Sequence, residues 1–262
     1  MMRRLDKVLR SDLSAIQLLI YGTVRDMLAS RAPRIATVLE NIKNRPTRLC
    51  TSNTALVIEG YPRSGNSSLA YLARILIGHG RHIATHIHRP IAINIAIQLS
   101  RPCLTCFRRP EQAIVSRLAL FIQGRIKAGL PSEMSRTAQR LLLTQYLRDW
   151  IGFYREVERR LDRIYLISLE DFARDPKLAV ELIRHLCRIH SSPDRVEEEL
   201  SGFWKCAWHV GPDEFRGKIK EDLMVVYSSL PIQKRSEADA LYENLLSASQ
   251  RQNNIIRARS WH

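Results

Sequence analysis

The chain has 262 residues, 45% of them hydrophobic, enough for one sizeable α/β core and not enough to demand two domains. Its 41 Lys and Arg against 26 Asp and Glu leave a formal charge of +15, a surface that attracts nucleic acid, acidic lipid, acidic glycan or a polyanionic cofactor. The basic residues are mostly dispersed Arg, with no run of five or six like charges and no aromatic–basic interleaving, so a specific nucleic-acid partner is not indicated.

The basic N-terminus, Met-Met-Arg-Arg-Leu-Asp-Lys, is not followed by the apolar segment and cleavage site of a secretory signal. The apolar run 14–21 is too short to span a bilayer, so no transmembrane segment is expected. An odd count of five cysteines then fits free thiols in a reducing cytoplasm. Cys103 and Cys106 form a C-x-x-C pair without a second pair at metal-site spacing, and no metal is expected.

Leu13, Ile16, Leu19, Ile20, Val24, Met27 and Leu28 repeat at helical spacing until Ala32-Pro33 breaks the pattern. Residues 1–50 read as an N-terminal helical appendage packed on the core, with amphipathic attachment to a membrane surface as the alternative. A dimer interface, a lid over a site and a cap on the sheet are all open to it, so a homodimer is compatible with this reading.

Residues 51–250 read as the α/β domain. The apolar run 55–59 predicts a strand covered on both faces. A helix follows, with Leu69, Leu72, Ala73 and Leu76 inward and a stop at Gly78 and Gly80. Residues 81–88 read as a strand or extended segment. Residues 91–98 alternate as a strand would, while Pro90 and the alanines leave a helix open. Residues 104–108 predict another strand, and Pro110 opens a helix with Ile114, Leu118, Phe121 and Ile122 inward. A long helix covers 133–160, a strand 163–168, and Asp175-Pro176 caps a helix carrying Leu178, Leu182, Leu186 and Ile189. Residues 193–262 read as helices and loops with Trp204 and Trp208 half-buried, and 251–262 as a frayed basic tail. Strands alternating with helices imply a three-layer αβα fold around a central parallel sheet.

Three clusters carry chemistry. In residues 54–69 a strand leads into Gly60-Tyr-Pro-Arg63-Ser64-Gly65-Asn66-Ser67-Ser68 and then a helix. Gly60 and Gly65 sit where a P-loop, G-x-x-x-x-G-K-[ST], has its glycines, but Asn66 replaces the lysine and Arg63 stands within the loop. Backbone amides at the helix mouth, the hydroxyls of Ser67 and Ser68, and the Arg63 fork suit a phosphate. Arg108-Arg-Pro-x-x-x-x-x-Ser116 repeats the plan, with an Arg at a strand's carboxyl end, where open α/β sheets bind ligands. Thr85-His86-Ile87-His88, with His82 nearby, would place His86 and His88 on one face of an extended segment, and a histidine serves as a general base near neutral pH.

Residues 61–69 resemble the 5′-phosphosulfate loop of the PAPS-dependent sulfotransferases, where PAPS is 3′-phosphoadenosine 5′-phosphosulfate. Arg108 and Ser116 resemble that family's 3′-phosphate motif, Thr85-His86 its Thr-His pair, and Leu169-Glu170-Asp171-Phe172 with Asp175-Pro176 a later family segment. The ordered set covers about residues 54–190. The resemblance implies a P-loop NTPase-like fold and transfer of a sulfuryl group from PAPS to an acceptor hydroxyl, releasing 3′,5′-adenosine bisphosphate (PAP). It implies that Arg63 contacts the sulfuryl and bridging oxygens, that Ser64, Gly65, Asn66, Ser67 and Ser68 wrap the 5′-phosphate, that Arg108 and Ser116 hold the 3′-phosphate, and that His86 (or His88) takes the acceptor proton.

The chain departs from the family in having Ala84 where many members have Lys and Ser68 where many have Trp. Phe215-Arg216-Gly217-Lys218 is the only candidate for the late Arg-x-Gly motif. Glu59, just before the loop, is disfavoured as a base beside phosphate. The positive charge and 7% aromatic content favour an acidic or carbohydrate acceptor over a phenol. Two alternatives stand: a P-loop kinase with a degenerate loop, and a non-catalytic basic protein binding nucleic acid or acidic membrane.

Overall fold

The computed structural model describes residues 12–13, 16–17, 20, 48–78, 80–189, 201 and 214–260. Most of the N-terminal stripe, together with Trp204 and Trp208, lies outside the described residues.

Four parallel strands, β1 Thr54–Glu59, β2 His82–Thr85, β3 Cys103–Phe107 and β4 Tyr165–Ser168, form one sheet in the order β2-β1-β3-β4. β1 is central, and every residue but Ala55 is buried, as its unbroken apolar run predicts. From β1 the chain steps outward to β2, returns past β1 to β3, and continues to β4. The crevice between the carboxyl ends of β1 and β3 is therefore the topological switch point.

Helices α1 (Asn66–Ile77) and α2 (Pro90–Gln98) make the first two crossovers. These run in opposite directions, and right-handed crossover places the two helices on opposite faces. Leu56, Ile58, Leu104 and Cys106 pack with Leu69, Leu72 and Ala73 of α1 on one face. α2 contacts β1 and β3 and buries Ala92, Ile93 and Ala96. The alternation over 91–98 is thus helical: Pro90 occupies the first turn after an extended Arg89, and burial follows i, i+1, i+4.

Helix α3 spans Pro110–Lys127 and α4 Arg136–Glu158. Next come α5 Leu169–Arg174 and α6 Pro176–Cys187, whose Leu178, Leu182 and Ile183 join the core. Ser168 caps α5, its side chain accepting from the Asp171 amide at 2.9 Å, whereas Asp175, expected to cap α6, makes no side-chain cap bond. Helices α7 (Glu214–Ser228) and α8 (Ile232–Ser260) complete the chain. The tail expected to fray from 251 onward continues α8. Gln252 accepts from the Leu166 amide at 2.9 Å and donates to the Ile164 carbonyl at 2.9 Å, and Ile256 is buried. This part of α8 covers the free edge of β4.

The chain divides into two compact units. One, Glu40–Arg108 with Gly152–Gly211 and Ala240–His262, holds the sheet. The other is Met1–Leu39 with Arg109–Ile151 and Pro212–Asp239, and its described residues are mostly helical. In the helical unit α3 packs on α7, and the Arg216 guanidinium donates to Gln123 Oε1 at 2.8 Å. No described helix is long and apolar enough to cross a membrane.

Candidate anion site at the switch point

The β1–α1 loop sits at this switch point, and glycine is required at both of its ends. A Cβ on Gly60 would fall against the Cys106 carbonyl, 3.1 Å from its carbon and 2.7 Å from Asn66 Oδ1. Gly65 is left-handed, with φ 98°, and a Cβ there would lie 2.8 Å from Leu169 Cδ1. Gly65 is also the N-cap of α1, and no side chain caps that helix. The first intrahelical bond runs from the Leu69 amide to the Gly65 carbonyl at 3.1 Å. The amides of Asn66, Ser67 and Ser68 are therefore first-turn donors that the helix cannot satisfy. Such open first-turn donors, with the helix dipole behind them, are the arrangement that favours an anion, and the candidate nest is this turn.

The side chains divide into those that build the nest and those that face outward. Ser64 builds it: it is fully buried, its amide donates to the Tyr61 carbonyl at 3.2 Å, and its hydroxyl lies 3.2 Å from the Tyr154 hydroxyl. Asn66 also builds it, donating through Nδ2 to the carbonyls of Gly60 (3.1 Å) and Tyr61 (3.3 Å). In the P-loop pattern a lysine at this position would point outward. Here the side chain staples the loop, and only its backbone faces the nest.

Ser67 is exposed and Ser68 half-buried. Arg63, left-handed at φ 72°, forms the crest of the loop. Arg108, just past β3, reaches the Arg63 carbonyl at 3.4 Å. Both guanidinium-bearing residues thus belong to one rim. Ser116 lies in α3 of the helical unit and is buried, whereas the Arg63–Arg108 rim belongs to the sheet unit.

The histidines follow β2. His86 Nε2 lies 2.8 Å from Ser67 Oγ, and the His86 and His88 rings meet edge to face at 5.6 Å. Both have positive φ, 67° and 56°, so the segment is not extended. They converge because the chain doubles back, not through an i, i+2 strand face. His88 Nδ1 is 2.8 Å from the Gly60 carbonyl and 3.3 Å from Asn66 Nδ2. The shorter contact, to an obligate acceptor, places the proton on Nδ1. Burial, then Arg48 and Arg74, depress the His86 pKa and favour the neutral ring. His82 starts β2 at the opposite end of the strand, bonded to Thr54 at 2.8 Å, and takes no part.

Glu59 anchors this turn. It is fully buried and accepts from the amides of Ile87 and His88, each at 2.9 Å. Burial pushes its carboxyl up to about 8, against the opposing pull of the Ile87, His88 and Gly60 amides. It therefore serves as a tie between the loop and the histidine turn.

Three contributors escape sequence reasoning. The Tyr154 hydroxyl accepts from the Tyr61 amide at 3.1 Å and donates to the Cys106 carbonyl at 2.8 Å. The Cys106 thiol donates to the Ser64 carbonyl, and Leu169 backs Gly65. Cys103 and Cys106 are both buried and free; burial lifts the Cys103 thiol to about 12 and raises Cys106 as well, so neither is a ready nucleophile or metal ligand. No group of metal-ligating side chains occurs among the described residues. Arg216 lies within α7 in the helical unit. No protein-family model matches the chain, and no curated protein matches it.

Proposed function

We propose that the chain is a PAPS-dependent sulfotransferase with a P-loop-like three-layer fold, moving a sulfuryl group to an acceptor hydroxyl. The observation that carries this reading is the uncapped α1 N-terminus at the switch point, with arginines in place of the Walker lysine and His86 bonded to the loop's own Ser67. A nest without that lysine suits a donor that has no β/γ-phosphate pair to clamp.

In this reading the amides of Asn66, Ser67 and Ser68 receive the 5′-phosphate of PAPS. Arg63 meets the charge that develops on the bridging oxygen as the S–O bond lengthens. Arg108 takes the 3′-phosphate. The acceptor oxygen attacks sulfur in line, the bond from sulfur to the bridging oxygen breaks, PAP leaves, and the acceptor proton passes to His86. Neutral His86 has the lone pair this needs. In the tautomer with its proton on Nδ1, His86 presents that lone pair at Nε2, 2.8 Å from Ser67 Oγ, and a bound phosphate that accepts from Ser67 would release it. Catalysis is then positioning plus electrostatic stabilisation. The excess of arginine favours an acidic or carbohydrate acceptor.

The test is formation of PAP from PAPS across a panel of hydroxyl acceptors. Turnover should fall at least a hundredfold in His86→Ala, the usual scale of a lost general base, with PAP binding retained. Full turnover in that variant would remove His86 from the mechanism.

A further inference from the structure

We propose that Tyr154 is the positioning residue of the phosphate loop, its hydroxyl fixing the geometry in which the loop meets a 5′-phosphate. This rests on the sulfotransferase reading above.

A phenol hydroxyl has one proton and two lone pairs. Here the proton goes to the Cys106 carbonyl, and the lone pairs take the Tyr61 amide and the Ser64 hydroxyl. All three partners are buried, as is Tyr154 itself. They are the end of β3, the first turn of the loop, and the residue before Gly65. The Cys106 thiol adds a second tie to Ser64. Pro62 and Arg63 are thereby left as an arch pinned at both ends, and the left-handed Arg63 crowns it. Burial raises the phenol's pKa, so the hydroxyl keeps the proton that the Cys106 bond requires.

A hydroxyl with three buried partners could serve stability alone. What separates that role from positioning is which ligand suffers when the bonds are lost. The three partners all belong to the 5′-phosphate loop and to β3 itself, whereas the 3′-phosphate is assigned to the Arg108 guanidinium, which reaches the Arg63 carbonyl. Tyr154→Phe keeps the ring and its edge contact with Phe153, at 5.0 Å, and removes only the hydroxyl.

The experiment compares the 262-residue chain and its Tyr154→Phe variant in calorimetric titrations with 5′-AMP, 3′-AMP and PAP, at a temperature where both are folded. Affinity for 5′-AMP and PAP should fall roughly tenfold, the factor set by about 1.4 kcal/mol, while 3′-AMP holds within about twofold. The Tyr61 amide should lose its protection from hydrogen exchange. An unchanged ratio of 5′-AMP to 3′-AMP affinity in the folded variant would overturn the positioning role. Should Tyr154→Phe fail to fold, Ser64→Ala removes one of the three bonds, and the same ratio must move in the same direction. Wild-type protein that binds none of the three ligands would sink the sulfotransferase reading itself, an outcome distinct from parity between the proteins.

Discussion

Gly60→Ala isolates the close approach on which the site is built. The added methyl would fall against the Cys106 carbonyl oxygen, 3.1 Å from its carbon and 2.7 Å from Asn66 Oδ1. The carbonyl cannot swing away, because it also accepts from Tyr154 and lies at the end of a buried strand. Relief requires the ends of β1 and β3 to part, which breaks the Asn66 and Tyr154 bonds. Overpacking costs roughly 1–3 kcal/mol, and against fixed backbone the upper end applies, about 3 kcal/mol. At about 2–4 °C per kcal/mol for a chain of this size, Tm should fall by roughly 6–12 °C. Gly152→Ala is the control: a Cβ there meets nothing within 4 Å on an exposed turn of α4, so helix propensity should add up to about 1 kcal/mol. Differential scanning calorimetry of the two variants reads both signs. A Gly60→Ala protein within about 2 °C of wild type would refute the tight β1–β3 junction.

Glu59 predicts a pH slope. Its folded pKa, raised to about 8 from an ordinary 4.5, makes the folded state hold a proton that the unfolded chain releases. This contribution is fully present below about 4.5 and is lost as pH rises toward 8, by about 1.4 kcal/mol per unit. Urea denaturation between pH 5.5 and 7.5 should show wild type losing stability relative to Glu59→Gln, and parallel profiles would contradict it. Asn66→Ala should destabilise by about 1–3 kcal/mol, since it removes two buried hydrogen bonds, leaving the Gly60 carbonyl to His88 and the Tyr61 carbonyl to the Ser64 amide. No loss in chemical denaturation would mean that the staple is not formed.

Periodicity made most of the fold legible. The strand at 55–59 and the helices after Gly65, Pro110 and Asp175-Pro176 stand where apolar spacing and turn residues put them. Residues 91–98 misled because Ile-Ala-Ile-Asn alternates by composition while its burial is helical. The C-terminal segment misled because its contacts with β4 use Gln252 and Ser249, polar residues that carry no apolar signal. At the site, Gly60, Gly65 and Arg63 were readable because loop chemistry is local in sequence. Tyr154 was not: it lies 90 residues from Ser64, and only the fold brings the two together. The division of labour in the loop was equally hidden, since Ser64 and Ser67 are alike in sequence yet one is buried and the other exposed.

The measurement that bears most directly on the proposed donor is thermal stability with PAP, AMP or magnesium-ATP. At a hundred times its Kd, a ligand that binds only the folded state adds about 2.7 kcal/mol. Selective stabilisation by PAP, abolished in Arg108→Ala, is the predicted result. No response to PAP, or an equal response to magnesium-ATP, would contradict the sulfotransferase reading.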